Sequence, residues 1–149
     1  MSKKKEKSVQ SIEIPKIILF IAKFLSVFSS KLTTLFAAKL FTTPIKHKIP
    51  KREHAMEHES AQKTITISEI NKEIVVYEYG KSDKKILLVH GWSGRGTQLV
   101  KIADELLKNG FMTISFDAPA HGKSKGNSSI MIEFIASILE LEKKYRSFD

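Results

Sequence analysis

The most restrictive feature of the sequence is a change of rhythm between Ile86 and Phe116. Ile86-Leu87-Leu88-Val89 is a continuous apolar run, the pattern of a strand buried on both faces of a parallel sheet. A glycine-rich loop follows, His90-Gly91-Trp92-Ser93-Gly94-Arg95-Gly96. The spacing then predicts a helix from about Thr97 to Asn109, with Leu99, Ile102, Ala103, Leu106 and Leu107 on one stripe and Gly110 as its stop. Met112-Thr113-Ile114-Ser115-Phe116 reads as a second buried strand. Strand, loop, helix and strand in that order form a right-handed crossover, which commits the chain to α/β layering.

The flanking segments agree. Thr64-Ile65-Thr66-Ile67-Ser68 alternates strictly, and Ile74-Val75-Val76-Tyr77-Glu78-Tyr79 is β-branched and aromatic. With Asn71-Lys72 between them they predict an antiparallel hairpin. After a loop from Asp117 to Asn127, Ser128 or Ser129 is placed to cap a last helix reaching Tyr145. Its expected inward stripe is Met131, Phe134, Ile135, Ile138 and Leu141 or Glu142. Two parallel strands, a hairpin and two helices make a thin sheet, and Asp149 falls where a next parallel strand would begin. The expectation is the N-terminal, truncated part of a larger α/β domain, with the second buried strand lacking a partner on one edge.

The N-terminal third differs in character. Residues 1–60 carry 12 Lys/Arg against 5 Asp/Glu, and the remainder 13 against 11, so the net +9 belongs mostly to this segment. Residues 1–15 read as a disordered basic tail, and 16–43 as an amphipathic helical extension. Residues 44–62, with Pro44 and Pro50, read as a linker and short helix, and 63–149 as the α/β domain. Lys23, Lys31 and Lys39 interrupt the apolar stretch, so a transmembrane span is not expected. Glu13 and Lys23 also spoil a secretory signal. Helix 16–43 then has two readings, packing on its own domain or lying on a membrane surface. The basic residues show no nucleic-acid module or aromatic platform, so no nucleic-acid partner is expected. The absence of cysteine excludes disulfide staples, a thiol nucleophile and Cys-ligated metals, and permits a cytoplasmic location.

The two blocks ILLVHGWSGRG and TISFDAPAHGKS, separated by one helix, resemble the α/β-hydrolase family. The first is similar to the family's strand and HG-x loop, the second to its following strand ending in D-x-P-x-H-G-x-S. The resemblance spans residues 62–149, and residues 30–50 fit the helical extension and Thr-Pro element that members often carry. It implies a serine hydrolase of esters, thioesters or amides, working through an acyl-enzyme on a small-molecule acyl substrate, without a cofactor. It also implies that the Trp92 backbone N–H serves an oxyanion hole in a loop shaped by His90 and Gly91, where Gly91 allows a path that a Cβ would block. The family's nucleophile elbow, acid and histidine would lie beyond Asp149, so residues 1–149 are expected to be inactive alone. The alternative is a non-catalytic, membrane-peripheral or interaction protein using helix 16–43.

Three further patterns match motifs by their letters. Gly122-Lys123-Ser124-Lys125-Gly126 is a literal G-x-S-x-G. However, Ala118 to His121 separate it from the strand and no helix starts at Ser124, so it reads as a loop in which neither Ser124 nor His121 is catalytic. His54-Ala55-Met56-Glu57-His58 matches H-x-x-E-H, but on a polar segment without a distal ligand, and no metal site is expected. Gly91, Gly94 and Gly96 before a helix invite a phosphate-cradle reading. Thr97 and Gln98 stand where a P-loop needs Lys and Ser/Thr, and Asp117 is the one candidate for a ribose-binding acid.

Overall fold

The computed structural model describes residues 14–146 together with 148 and 149. Residues 1–13, most of the segment read as a tail, lie outside the described residues, as does Ser147. The chain forms two compact units, Met1–Ala38 and Lys39–Asp149.

Where the sequence reads one helix over 16–43, the structure has two: α1 (Lys16–Phe28) and α2 (Ser30–Thr42). Ser29 separates them in an extended conformation, φ −164° and ψ 123°. Its N–H closes α1 by donating to Leu25 O, while its Oγ and O accept from the Leu32 and Thr33 amides that open α2. One serine thus ends one helix and caps the next. The half-buried positions of α1 are Ile18, Ile21, Ala22 and Leu25, a helical i, i+3, i+4, i+7 set. No helix among the described residues is long and apolar enough to cross a membrane.

In the second unit an extended segment with buried Pro44 leads through a 3₁₀ turn, Lys51–Glu53, into α3 (His54–Glu59). Strands β1 (Ala61–Ile67) and β2 (Lys72–Tyr79) form the expected hairpin, turned by Ser68–Ile70 and by Asn71 at φ +48°. Then come β3 (Lys85–Leu88), a 3₁₀ turn Gly96–Leu99, α4 (Val100–Lys108), β4 (Met112–Asp117) and α5 (Met131–Tyr145). The sheet order is β1-β2-β4-β3, with β4 antiparallel to β2 and parallel to β3.

The expectation that the second buried strand lacks a partner on one edge is therefore corrected. The crossover carries β4 back into the slot between β2 and β3, and every β4 residue after Met112 is buried. The sheet's edges are β1 and, beside β4, β3. At β3 the Asp149 N–H donates to Lys85 O (2.9 Å), and the Lys85 N–H donates to Asp149 Oδ2 (2.9 Å).

Alternation across the sheet divides the core. Val76, Ile114 and Phe116 join Ile65, Ile67 and Ile74 under Phe134 and Leu141 of α5, while Tyr79 and Leu88 meet Met56, Val100 and Ala103 on the α3–α4 side. The stripes differ from the sequence reading. Ile102 faces outward on α4, and on α5 it is Phe134, Ser137 and Leu141 that point inward while Met131 and Ile135 are exposed. Nor does Ser128 or Ser129 cap α5. The N-cap is Ile130 without a side-chain bond, and the Ser129 amide donates to Thr42 O (2.8 Å). Leu141→Ala should cost about 2–5 kcal/mol, while Ile135→Lys should change stability by less than about 0.5 kcal/mol. Denaturant unfolding checks the pair, and equal costs would contradict this orientation of α5.

Candidate functional site

The loops leaving the C-terminal ends of β3 and β4 lie together, the region where parallel sheets place ligands. His90 is buried, and its Nε2 accepts the Ala118 N–H (3.1 Å) from the end of β4. An accepting Nε2 puts the ring proton on Nδ1, which then donates to Gly91 O (2.7 Å). Burial pushes the His90 pKa down and so favours this neutral form. His90 is thus a strut joining the two loops. The Gly94 N–H donates to Gly91 O (2.9 Å), closing a reverse turn with Trp92 and Ser93 at its centre and Ser93 at φ +56°. The Trp92 N–H, in second position, meets no acceptor among the described residues. The residue is 48% exposed, its indole stacked on Phe41 (6.3 Å) and edge-on to His121 (5.0 Å).

The role given to Gly91 is corrected by this geometry. A Cβ there would meet nothing within 4 Å. A Cβ is blocked instead at Gly94, 2.8 Å from Gly91 O, at Gly122, against the Asp117 carboxylate, and at Gly96, where it would sit 2.6 Å from the Tyr77 ring and 3.0 Å from the backbone of Phe116. That close approach lets the Gly96 N–H reach Asp117 Oδ1 (2.6 Å). Asp117 is buried at the end of β4, and its Oδ2 accepts from the Tyr77 hydroxyl (2.9 Å) and the Lys123 N–H (2.7 Å). Burial and the adjacent carboxylate drive the Tyr77 phenol far above its ordinary pKa, so it stays a donor. With its oxygens so committed, Asp117 has none to offer a ribose, and the dinucleotide reading finds no support at this position.

Ser124 is a second strut. Its Oγ donates to Asp117 O (2.6 Å) and accepts the Val75 N–H (2.9 Å), bridging the last partner pair of the β2–β4 ladder. The Lys46 ammonium holds its carbonyl (2.6 Å). His121 is buried against His90, Trp92 and Phe134. Its Nδ1 lies 2.9 Å from Pro119 O, and its Nε2 has no partner among the described residues. Burial lowers its pKa too. Among the described residues no base addresses the Ser124 hydroxyl, whose hydrogen bonds are both to main-chain groups.

The segment read as a linker is fastened to these loops. The Ile45 N–H donates to Ser93 Oγ (3.0 Å), and Arg95 donates to His47 O (3.3 Å) and to Glu53 Oε2 (2.7 Å). Glu53 is wholly buried and also accepts from Thr97 Oγ1 (2.9 Å). In the H-x-x-E-H segment, a ring nitrogen of His54 contacts Ile49 O (3.2 Å) and Glu57 pairs with Lys123 (2.6 Å). Among the described residues no three His, Cys, Asp or Glu side chains gather to hold a metal. Asp117 is visible in the sequence as the first residue of the D-x-P-x-H-G-x-S block but not as the acceptor that joins three segments, and Glu53 carries no signal.

No protein-family model matches the sequence, and no curated protein matches it. Solved structures do. An esterase from Pyrococcus furiosus aligns with a TM-score of 0.55 at 23% identity, over 70% of this chain and 43% of its own. A bromoperoxidase from Bacillus anthracis gives 0.51 at 22% identity, over 58% and 32%. An epoxide hydrolase from Vigna radiata gives 0.52 at 16% identity, over 60% and 30%. All three have the α/β-hydrolase fold, and this chain carries part of it, spanning less than half the length of each.

Asp117→Asn leaves one acceptor oxygen for three donors and sets an amide NH₂ against one of them. It should lower unfolding free energy by about 3 kcal/mol, measured by denaturant titration. His90 and His121 both have native pKa values below the unfolded one. Their contribution is thus full above about pH 6.5 and is lost as pH falls toward the native values. Denaturation midpoints should drop over that acid window, and replacing both histidines by Gln should flatten the drop while lowering the plateau.

Proposed function

We propose that this chain supplies the oxyanion-hole side of a serine hydrolase that cleaves a small-molecule ester, thioester or amide. The observation that carries the reading is the Trp92 N–H, without an acceptor among the described residues, in a turn held from below by His90 and beside the ends of two parallel strands. When a nucleophile attacks an acyl carbonyl, negative charge collects on the carbonyl oxygen. A fixed N–H aimed at that oxygen stabilises the transition state more than the substrate. A donor serves this purpose when its loop does not reorganise, and the Gly91–Gly94 turn, the His90 strut and the Ser93–Ile45 bond all resist movement.

On this reading the serine nucleophile, its acid and its histidine are supplied by polypeptide outside residues 1–149. The amide after the nucleophile gives the second donor. Neither Ser124 nor His121 fills these roles, because the Ser124 hydroxyl is spent on Asp117 O and Val75 N–H. The short likeness to an esterase and to an epoxide hydrolase supports a hydrolytic chemistry without choosing the substrate.

Two measurements test the proposal. A fluorophosphonate probe should leave residues 1–149 unlabelled, with or without Ser124→Ala; labelling that Ser124→Ala abolishes would overturn it. Sequencing the encoding DNA beyond codon 149 should reveal a strand, a G-x-S-x-G elbow and later Asp and His codons. In the active protein so defined, Trp92→Pro removes the N–H at a turn position that tolerates proline. It should lower kcat about 10²–10³-fold with little change in KM.

A further inference from the structure

The first unit carries an apolar surface that the hydrolase reading does not use. At 100° per residue, Ile17, Phe20, Phe24, Val27 and Phe28 share an arc of about 100° on α1. They are between 55% and 81% exposed, and the Phe24 and Phe28 rings touch at 4.8 Å between centroids. The half-buried set Ile18, Ile21, Ala22 and Leu25 occupies the adjoining arc, centred about 120° away. The helix thus has two apolar faces, one half-covered and one bare.

Charge identifies what the bare face fits. Lys16 and Lys23 border the exposed arc on one flank, and Lys31 follows in α2. No acidic residue occurs between Glu13 and Glu53, while Lys3, Lys4, Lys5 and Lys7 precede the helix in sequence. Exposed phenylalanines beside lysines, in a stretch of chain without acids, suit the anionic headgroup and acyl boundary of a bilayer. There the rings enter the hydrocarbon edge while the ammonium groups remain at phosphate level. An apolar protein groove would accept the rings but gives no reason for a segment without acids.

We infer that α1 is an interfacial helix that docks this protein on anionic membrane surfaces through Phe20, Phe24 and Phe28, with Lys16 and Lys23 at the headgroups. Each basic residue near such a surface contributes roughly fivefold in partition, and that share is screened by salt.

The test is sedimentation of the 149-residue protein with vesicles of phosphatidylcholine alone, or of phosphatidylcholine mixed with phosphatidylglycerol. Binding to the mixed vesicles that weakens as salt rises is expected. Phe20→Glu with Phe24→Glu should lower it at least about tenfold. These exposed positions should leave the melting profile unchanged, which separates a binding loss from misfolding. With Phe24→Trp in a Trp92→Phe background, the emission of the introduced indole should shift to shorter wavelength on vesicles and be quenched by brominated acyl chains. Binding unaffected by the double glutamate variant, or emission from that indole left unquenched, would overturn the inference. So would self-association that the glutamates abolish while vesicle binding persists, because the face would then belong to a second copy.

Discussion

A single buried carboxylate organises the second unit. Asp117 ends the central strand, and three donors from three segments converge on it: the Tyr77 hydroxyl from β2, the Gly96 amide from the loop after β3, and the Lys123 amide from the loop after β4. A buried anion is tolerable only when its oxygens are saturated by well-placed donors. Satisfying Asp117 therefore dictates where each loop must go. It draws Gly96 so close to Tyr77 that no side chain fits there. The His90 and Ser124 struts then fasten the neighbouring backbone to the same strand end, through Ala118 N–H and Asp117 O.

The elements legible in the sequence are those whose signal is local. Strict alternation at Thr64–Ser68 is enough for a strand, and the run Ile86–Val89 is enough for a buried one. The crossover told which segments are strands but not that β4 inserts between β2 and β3, because pairing order is set by the whole sheet. Helix α5 shows a different limit. Met131, Ile132, Phe134, Ile135, Ile138, Leu139 and Leu141 leave few polar positions to mark the outer face, so periodicity alone could not choose it. At α1–α2, Ser29 ends a helix by hydrogen bonds that any Ser in a helical pattern can forgo.

The site divides in the same way. The HG-x loop and D-x-P-x-H-G-x-S block are contiguous strings and announce their location. The groups that hold the loop are scattered: Glu53 lies 42 residues before the Arg95 it binds, and Tyr77 lies 40 before Asp117. Gly91 invited a role because a glycine inside a motif suggests backbone constraint, whereas the close approaches occur at Gly94, Gly96 and Gly122. Only the fold brings to Gly96 the ring and the backbone that forbid a Cβ.

The sheet order also fixes a sequence of events along the emerging chain. Strands β2 and β3 share no ladder bonds, since β4 lies between them. A nascent chain ending near Gly96 holds the β1–β2 hairpin, while β3 has nothing in the sheet to pair with. The His90 strut is likewise without its acceptor bond until the Ala118 amide exists. When β4 enters its slot it completes two ladders and brings the Ala118 amide to His90 together. The turn bearing Trp92 is therefore inherited from the arrival of a strand encoded some twenty residues downstream.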